Sequence, residues 1–65
     1  MILELDVSVD GNDYLVQVDL VPSTGYFDID GVQYNGVTLP EEILSNTFMG
    51  KLDKAVLNKL RESHD

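Results

Sequence analysis

The sequence predicts an α+β domain in which a four-stranded antiparallel β-meander carries one C-terminal helix on one face. Two observations lead to this prediction. Up to residue 37, apolar residues alternate with polar ones between clusters of turn residues, which is the period of half-buried strands. From residue 38 onward, apolar residues recur at three- and four-residue spacings, the period of a helix. We therefore expect one domain over residues 1–65, with the meander in 1–37 and the helical segment in 38–63.

The composition is that of a small folded domain. The chain has 65 residues, of which 43% are hydrophobic, and it contains no cysteine. A chain of this length buries only about 60% of its unfolded surface, so its stability is marginal. Without cysteine it cannot be a disulfide scaffold or a thiolate metal site. Glu4 and Asp6 interrupt the amino-terminal stretch, which therefore does not resemble a signal peptide, and no apolar run could cross a bilayer. These features predict a cytoplasmic protein without a membrane partner.

The first two strands are expected to form a hairpin. Leu3 to Val9 and Tyr14 to Leu20 each alternate apolar and polar residues. If residues 11–12 form the two-residue loop, every apolar residue of one strand lies opposite an apolar residue of the other. A shift of one residue would pair apolar with polar positions. This alignment also places Glu4 opposite Asp19.

The third and fourth strands are expected to follow two further turns. Residues 22–25 (Pro-Ser-Thr-Gly) form a turn cluster, after which Asp19 would lie opposite Asp28. Residues 30–31 (Asp-Gly) are the strongest short hairpin signal in the chain. A hairpin there would place Ile29 opposite Val32 and Asp28 opposite Gln33.

The helical segment has a clear predicted start but an apolar face that is too wide. Thr38 is the expected N-cap, with Pro40 in the first turn and Glu41 closing a capping box. Apolar residues then span about 200° of the helical wheel, against a usual stripe of a little over 100°. We therefore expect a break near residues 45–50, with Asn46 capping the second segment.

The predicted core combines the apolar faces of the strands and the helix. Its expected central members are Leu5, Val7, Val16, Val18, Phe27, Ile29, Phe48, Leu52 and Val56. The surplus apolar surface of the helix suggests self-association through Met49, Leu57 and Leu60, which would also support the small core. We therefore expect that the chain can form a homo-oligomer.

Charge is distributed very unevenly along the chain. The first 50 residues hold nine acidic residues and no lysine or arginine, whereas all four basic residues follow Gly50. The formal net charge is −8. An acidic sheet would repel nucleic acid phosphates and attract basic partners.

The predicted alignment brings acidic residues together on the solvent side of the sheet. Glu4, Asp19 and Asp28 would form a row across three strands, with Asp6 and Asp30 beside it. Directly opposed like charges destabilise strand pairing, so such a row invites a functional explanation. The simplest interpretation of the row is a solvated face that keeps a small protein soluble. A docking surface for a basic partner and a site for divalent cations are the other two interpretations. An exposed apolar patch of Tyr26, Val21 and Ile2 is expected next to the row and favours an interaction surface.

The sequence contains no recognisable set of residues for metal binding or catalysis. Residues 28–31 match three positions of a calcium-binding EF-hand loop, but Tyr26 and Val37 occupy the first and last ligand positions. The single histidine, His64, is next to the last residue of the sequence, where fraying is the default. The sequence therefore predicts a non-enzymatic protein with no cofactor, metal site or catalytic residues.

We therefore predict a small acidic protein-binding module that uses Glu4, Asp6, Asp19, Tyr26, Asp28 and Asp30 against a basic surface of another protein. One alternative is an inhibitor that imitates DNA and occupies a nucleic-acid-binding protein. A second alternative is a structural subunit that assembles through its helix, in which case Lys54 and Arg61 would matter more than the sheet.

Overall fold

The computed structural model describes residues 1–63, so His64 and Asp65 lie outside the described part. It contains a four-stranded antiparallel sheet in the order β1-β2-β3-β4 and one helix packed against it, which confirms the predicted α+β meander. The elements are β1 (Ile2–Val9), β2 (Asn12–Val21), β3 (Tyr26–Tyr34), β4 (Val37–Thr38), a 3₁₀ turn (Glu41–Ile43) and α1 (Asn46–Ser63). We call the side of the sheet that faces α1 the inner face and the opposite side the outer face.

The β1–β2 hairpin turns one residue earlier than predicted. Its loop consists of Asp10 and Gly11, which both have positive φ, at 52° and 84°. An Asp-Gly pair suits a type I′ turn, which requires positive φ at both positions. The strands are therefore shifted by two residues from the predicted register, and Val7 lies opposite Tyr14. A shift of two leaves every side chain on its predicted face, because side chains alternate with a period of two.

The β2–β3 connection confirms the prediction for the second turn. Residues 22–25 form the loop, and the Gly25 amide donates to the Val21 carbonyl over 2.9 Å. Leu20 lies opposite Phe27 and Asp19 opposite Asp28, as expected.

The predicted hairpin at residues 30–31 is wrong, since β3 continues through this dipeptide. Val18 lies opposite Ile29, but the next residue of β2, Gln17, lies opposite Gly31. Asp30 is thus the additional residue of a β-bulge. Gln33 consequently pairs with Leu15 on one side, and not with Asp28.

The third hairpin turn instead uses Asn35 and Gly36, with φ of 51° and 79°. Asn-Gly is the preferred sequence of a type I′ turn, and it returns the chain into the two-residue strand β4. β4 pairs only with the end of β3, where Tyr34 lies opposite Val37. Much of the far edge of β3 is therefore not covered by another strand.

The predicted break in the helical segment is confirmed, whereas the predicted caps are wrong. Thr38 belongs to β4, and the 3₁₀ turn follows Pro40 without a side-chain cap. α1 begins at Asn46, and its cap is Ser45, whose Oγ accepts a hydrogen bond from the Phe48 amide over 3.1 Å. The Ser45 hydroxyl thereby satisfies one of the amides that a helix start leaves without an intrahelical partner.

The core lies between the inner face and one stripe of α1. Its buried members are Val7, Val9, Val16, Val18, Leu20, Val32, Leu52, Val56 and Leu60. Five of the predicted core residues are among them. Leu5, Phe27, Ile29 and Phe48 are half-buried and pack against this cluster from its border.

The helix does not lie over the middle of the sheet. Among the strands, α1 makes its most extensive approach to β1. Its first turns are held by an aromatic cluster in which the Tyr14 ring lies 5.3 Å from Tyr34 and 5.2 Å from Phe48. Lys51 Nζ also lies 2.8 Å from a carboxylate oxygen of Asp10 in the first hairpin loop. Phe27 and Ile29 on the inner side of β3 remain half-buried.

Leu52→Ala is expected to lower the free energy of unfolding by about 3 kcal/mol, because it opens a cavity at a fully buried site. Leu57→Ala on the same helix provides the control. Leu57 is 39% exposed, and its truncation should cost less than about 1 kcal/mol. Urea unfolding followed by circular dichroism measures both. Equal losses for the two variants would contradict the described orientation of α1.

Ser45→Ala is expected to cost about 1 kcal/mol of unfolding free energy through loss of the N-cap hydrogen bond. Asn46→Ala should change stability by less than about 0.5 kcal/mol, because Asn46 is already inside the helix and exposed. The same urea measurement compares them. A larger loss of unfolding free energy for the Asn46 variant would indicate that Asn46, and not Ser45, is the N-cap of α1.

Candidate functional site

The outer face carries acidic side chains without lysine or arginine among them. The charged side chains that the register places on this face are Glu4, Asp6, Asp13, Asp19 and Asp28. Lys51, Lys54, Lys59 and Arg61 all belong to α1, which packs on the inner face. The sheet and the helix therefore present opposite electrostatic surfaces.

The predicted row of three carboxylates is only partly present. Asp19 and Asp28 are directly opposite each other on β2 and β3. Glu4 lies opposite Gln17, which makes it a diagonal neighbour of Asp19, so the predicted direct pairing of Glu4 with Asp19 is wrong. Opposed residues have Cβ atoms about 5 Å apart and diagonal ones about 7–8 Å apart. The strongest like-charge contact is therefore expected between Asp19 and Asp28.

Two hydrogen bonds orient this pair of carboxylates. The amino group of Met1 donates to Asp19 Oδ1 over 3.2 Å and to the Leu20 carbonyl over 2.9 Å. The Tyr26 hydroxyl donates to Asp28 Oδ1 over 3.2 Å. The Asp19 side chain nevertheless stays 49% exposed, so it remains accessible to a partner.

The predicted apolar patch lies beside the two carboxylates. Ile2 is 60% exposed, Val21 is 43% exposed and Tyr26 is 63% exposed. Val21 lies opposite Tyr26, while Ile2 lies opposite Asp19. We call these five residues the outer-face patch: Ile2, Asp19, Val21, Tyr26 and Asp28. An apolar surface bordered by charge is typical of protein-binding sites.

The other acidic residues that were predicted for binding lie farther from the patch. Asp6 is opposite Leu15 towards the other end of the sheet. Asp30 is the bulged residue of β3 and is exposed at that position. They extend the acidic surface without joining the Asp19 and Asp28 pair.

The structure also contains a groove that the sequence analysis did not predict. It lies between α1 and β3 and has a volume of about 820 Å³. Phe27 and Ile29 line it from the strand, and Met49 and Leu57 line it from the helix. The sequence feature that could have predicted this groove is the surplus apolar arc of the helix, since Met49 and Leu57 belong to that arc.

The predicted self-association surface needs one correction. Leu60 is only 8% exposed and packs in the core of its own chain, so it cannot contribute to a surface between subunits in this fold. Met49 is half-buried and Leu57 is exposed, and both line the groove. The remaining apolar surface of the helix is thus part of the groove next to β3.

Within residues 1–63, no group of three acidic or histidine side chains is arranged so that it could hold a metal ion. The sequence that partly matches an EF-hand loop, residues 28–31, lies inside β3 and contains its bulge.

The Ser8 hydroxyl donates to Asp13 on the exposed end of the first hairpin. A serine nucleophile also needs a base that accepts its proton and donors for an oxyanion, and His64 lies outside the described residues.

Comparison of the chain with protein-family models, with curated proteins and with solved structures finds no match in any of the three. The helices of the described part include none with the length and apolar character required to cross a membrane.

In a Tyr26→Phe background, which already lacks the hydroxyl bonded to Asp28, Asp28→Lys is expected to raise the free energy of unfolding by about 0.2–1 kcal/mol, because it replaces a directly opposed like-charge pair by an attractive one with Asp19. The gain should shrink in about 1 M salt, which screens exposed charges. Urea unfolding at low and high salt measures it. Glu42→Lys makes the same change in net charge on the exposed 3₁₀ turn and is the control. An equal gain for the control would attribute the effect to net charge alone.

Proposed function

We propose that this protein is a non-enzymatic binding module whose outer face contacts a basic surface of another protein. The observation that carries the proposal is the outer-face patch, in which Asp19 and Asp28 are opposed although lysine at either position would favour strand pairing. Side-chain arrangements that lower stability are typical of functional surfaces.

The composition of the patch supports recognition of a protein in preference to unspecific attraction of cations. Tyr26 offers a large amphipathic side chain, and aromatic residues often supply much of the binding energy of an interface. Ile2 and Val21 extend the apolar surface on the same face. The carboxylates then supply orientation and a faster encounter with a basic partner.

The segregation of charge supports the same proposal at longer range. Acidic side chains on the outer face and basic side chains on α1 give the molecule a preferred orientation in the field of a basic partner. Association should therefore be fast at low salt and slower as salt is raised.

We also propose that the protein acts in the cytoplasm.

Charge reversal at the patch provides the test. The double variant Asp19→Lys/Asp28→Lys should lose binding to a lysine-rich peptide used as a defined probe, with affinity reduced at least about tenfold, because two attractive contacts become repulsive. Chemical shift changes of the wild-type amides in a titration should centre on Ile2, Asp19 and Tyr26. Two-dimensional NMR of the labelled protein measures both.

The control is Glu42→Lys/Glu62→Lys, which makes the same change in net charge on exposed residues away from the patch. This variant should lose affinity no more than about threefold. Equal losses for both double variants, or shift changes spread evenly over all acidic residues, would reject the outer-face patch as a specific site.

Experiments with a natural partner captured through the outer-face patch would distinguish this proposal from imitation of DNA and from assembly through the helix. Competition between this protein and duplex DNA for the same partner would identify an imitation of DNA. Loss of capture on mutation of Lys54 and Arg61, with the patch variant unaffected, would favour assembly through the helix instead.

A further inference from the structure

The edge of β3 is open over most of its length. β4 pairs only with Gln33 and Tyr34, and the Leu39 amide donates to the Val32 carbonyl over 2.8 Å. Between Tyr26 and Gly31, the described residues provide no strand on this side. Alternate residues of such an edge direct their N–H and C=O groups outward, which makes the edge a template for another strand.

A groove follows the same part of β3. Four consecutive residues of the strand line it, Tyr26 to Ile29, and residues of α1 form its other wall. Phe27 and Ile29 have their side chains on the inner face, so the groove lies between this part of β3 and α1.

A second cavity extends the groove towards β4. It has a volume of about 250 Å³ and is lined by Gly31, Leu39 and Leu44, and it shares Ile29 and Met49 with the first. The two cavities together follow β3 from Tyr26 to Val32. At about 3.3 Å per residue, this distance suits an extended segment of about six or seven residues.

We propose that an extended segment of another protein, with alternating basic and apolar residues, pairs with the open edge of β3 as a fifth strand. Its apolar side chains would enter the groove over Phe27 and Ile29. Its basic side chains would point to the outer face beside Asp28, because successive side chains of a strand lie on opposite faces. The main-chain hydrogen bonds would supply affinity and the alternating pattern would supply specificity.

The charges on β3 explain why the occupant is a basic segment of another protein. Asp28 lines the first cavity and Asp30 the second, so both acids follow the edge. An antiparallel second copy centred on Ile29 would place Asp28 opposite Asp30 twice, and directly opposed like charges destabilise pairing. Charged residues at an edge are a common protection against self-pairing. A strand with lysine or arginine at those positions removes the repulsion.

The charges on the helix rim do not reverse this preference. Lys54 and Asp53 both line the groove and carry opposite charges. Lys51 lines it too, but its ammonium group is engaged with Asp10 at 2.8 Å. The apolar side chains of the segment would enter below this rim, and its basic side chains would lie on the opposite face.

This inference rests on the proposed function, since the basic side chains of the bound segment would approach the outer-face patch through Asp28. It adds the main-chain pairing and the groove. The experiment must therefore separate contact with the acidic face from addition of a strand.

Three peptides of the same charge make that separation. The first is an acetylated, amidated heptapeptide in which lysine and valine alternate, starting with lysine. The second has the same composition with its valines placed together in the middle. The third repeats the first with N-methyl groups on the alternate amides that would pair with β3. Titration of the labelled protein gives affinities, and amide hydrogen exchange reports protection at residues 26–31.

The alternating peptide should bind at least about tenfold more tightly than either of the other two, because they lose the side-chain pattern or two to three main-chain hydrogen bonds. Exchange at outward-facing amides of residues 26–31 should slow only with the alternating peptide. Leu57→Lys, which narrows the groove at an exposed position, should weaken its binding at least about tenfold. Asn58→Lys adds the same charge at an exposed neighbouring position that does not line the groove, and it should change affinity less than about threefold.

Equal affinity for all three peptides, with shift changes confined to the outer-face patch, would overturn the fifth-strand proposal and leave the proposed function standing. No binding of any peptide at low salt would remove both. Protection of residues 26–31 that appears without peptide and grows with protein concentration would overturn the proposal in favour of a second copy as the occupant.

Discussion

The fold is organised by the contact between the inner face of the sheet and the Leu52, Val56 and Leu60 stripe of α1. Leu52 and Val56 are fully buried in the same apolar cluster as Val16 and Val18 of β2. No disulfide can supply a second source of stability, so this single apolar layer must hold the fold. Once these side chains face inward, the alternation of each strand sends its polar residues outward. The acidic outer face follows from the core.

The off-centre position of the helix explains why one side of the inner face stays accessible. The aromatic cluster around Tyr14 and the ion pair of Lys51 with Asp10 tie the first turns of α1 to the end of the sheet at the first hairpin. α1 approaches β1 most extensively, and Phe27 and Ile29 on β3 remain half-buried beside the groove. The groove is thus a consequence of where a narrow helix rests on a wider sheet.

The proposed interactions converge on β3. This strand contributes Asp28 and Tyr26 to the outer-face patch, Phe27 and Ile29 to the groove, and an edge that β4 covers only at one end. Acids along that edge oppose pairing between copies, while the same acids suit a basic partner. One set of charges can in this way discourage the wrong contact and favour the intended one. The surplus apolar arc of α1 also finds an explanation here, because Met49 and Leu57 form the helix wall of the groove.

Periodicity alone was sufficient to predict the fold class, the break before α1 and the faces of the residues in β1, β2 and most of β3, because it reports directly which side chains are buried. It also determined the Asp19 and Asp28 pair and the exposed Ile2, Val21 and Tyr26 beside it. The folded chain was needed to define the register of the first hairpin, since a shift of two residues leaves the faces unchanged. It likewise decided between a hairpin and a bulge at Asp30, because both place Ile29 and Val32 on the same face. The groove and the open edge of β3 depend on where the helix rests, and local periodicity does not contain that information.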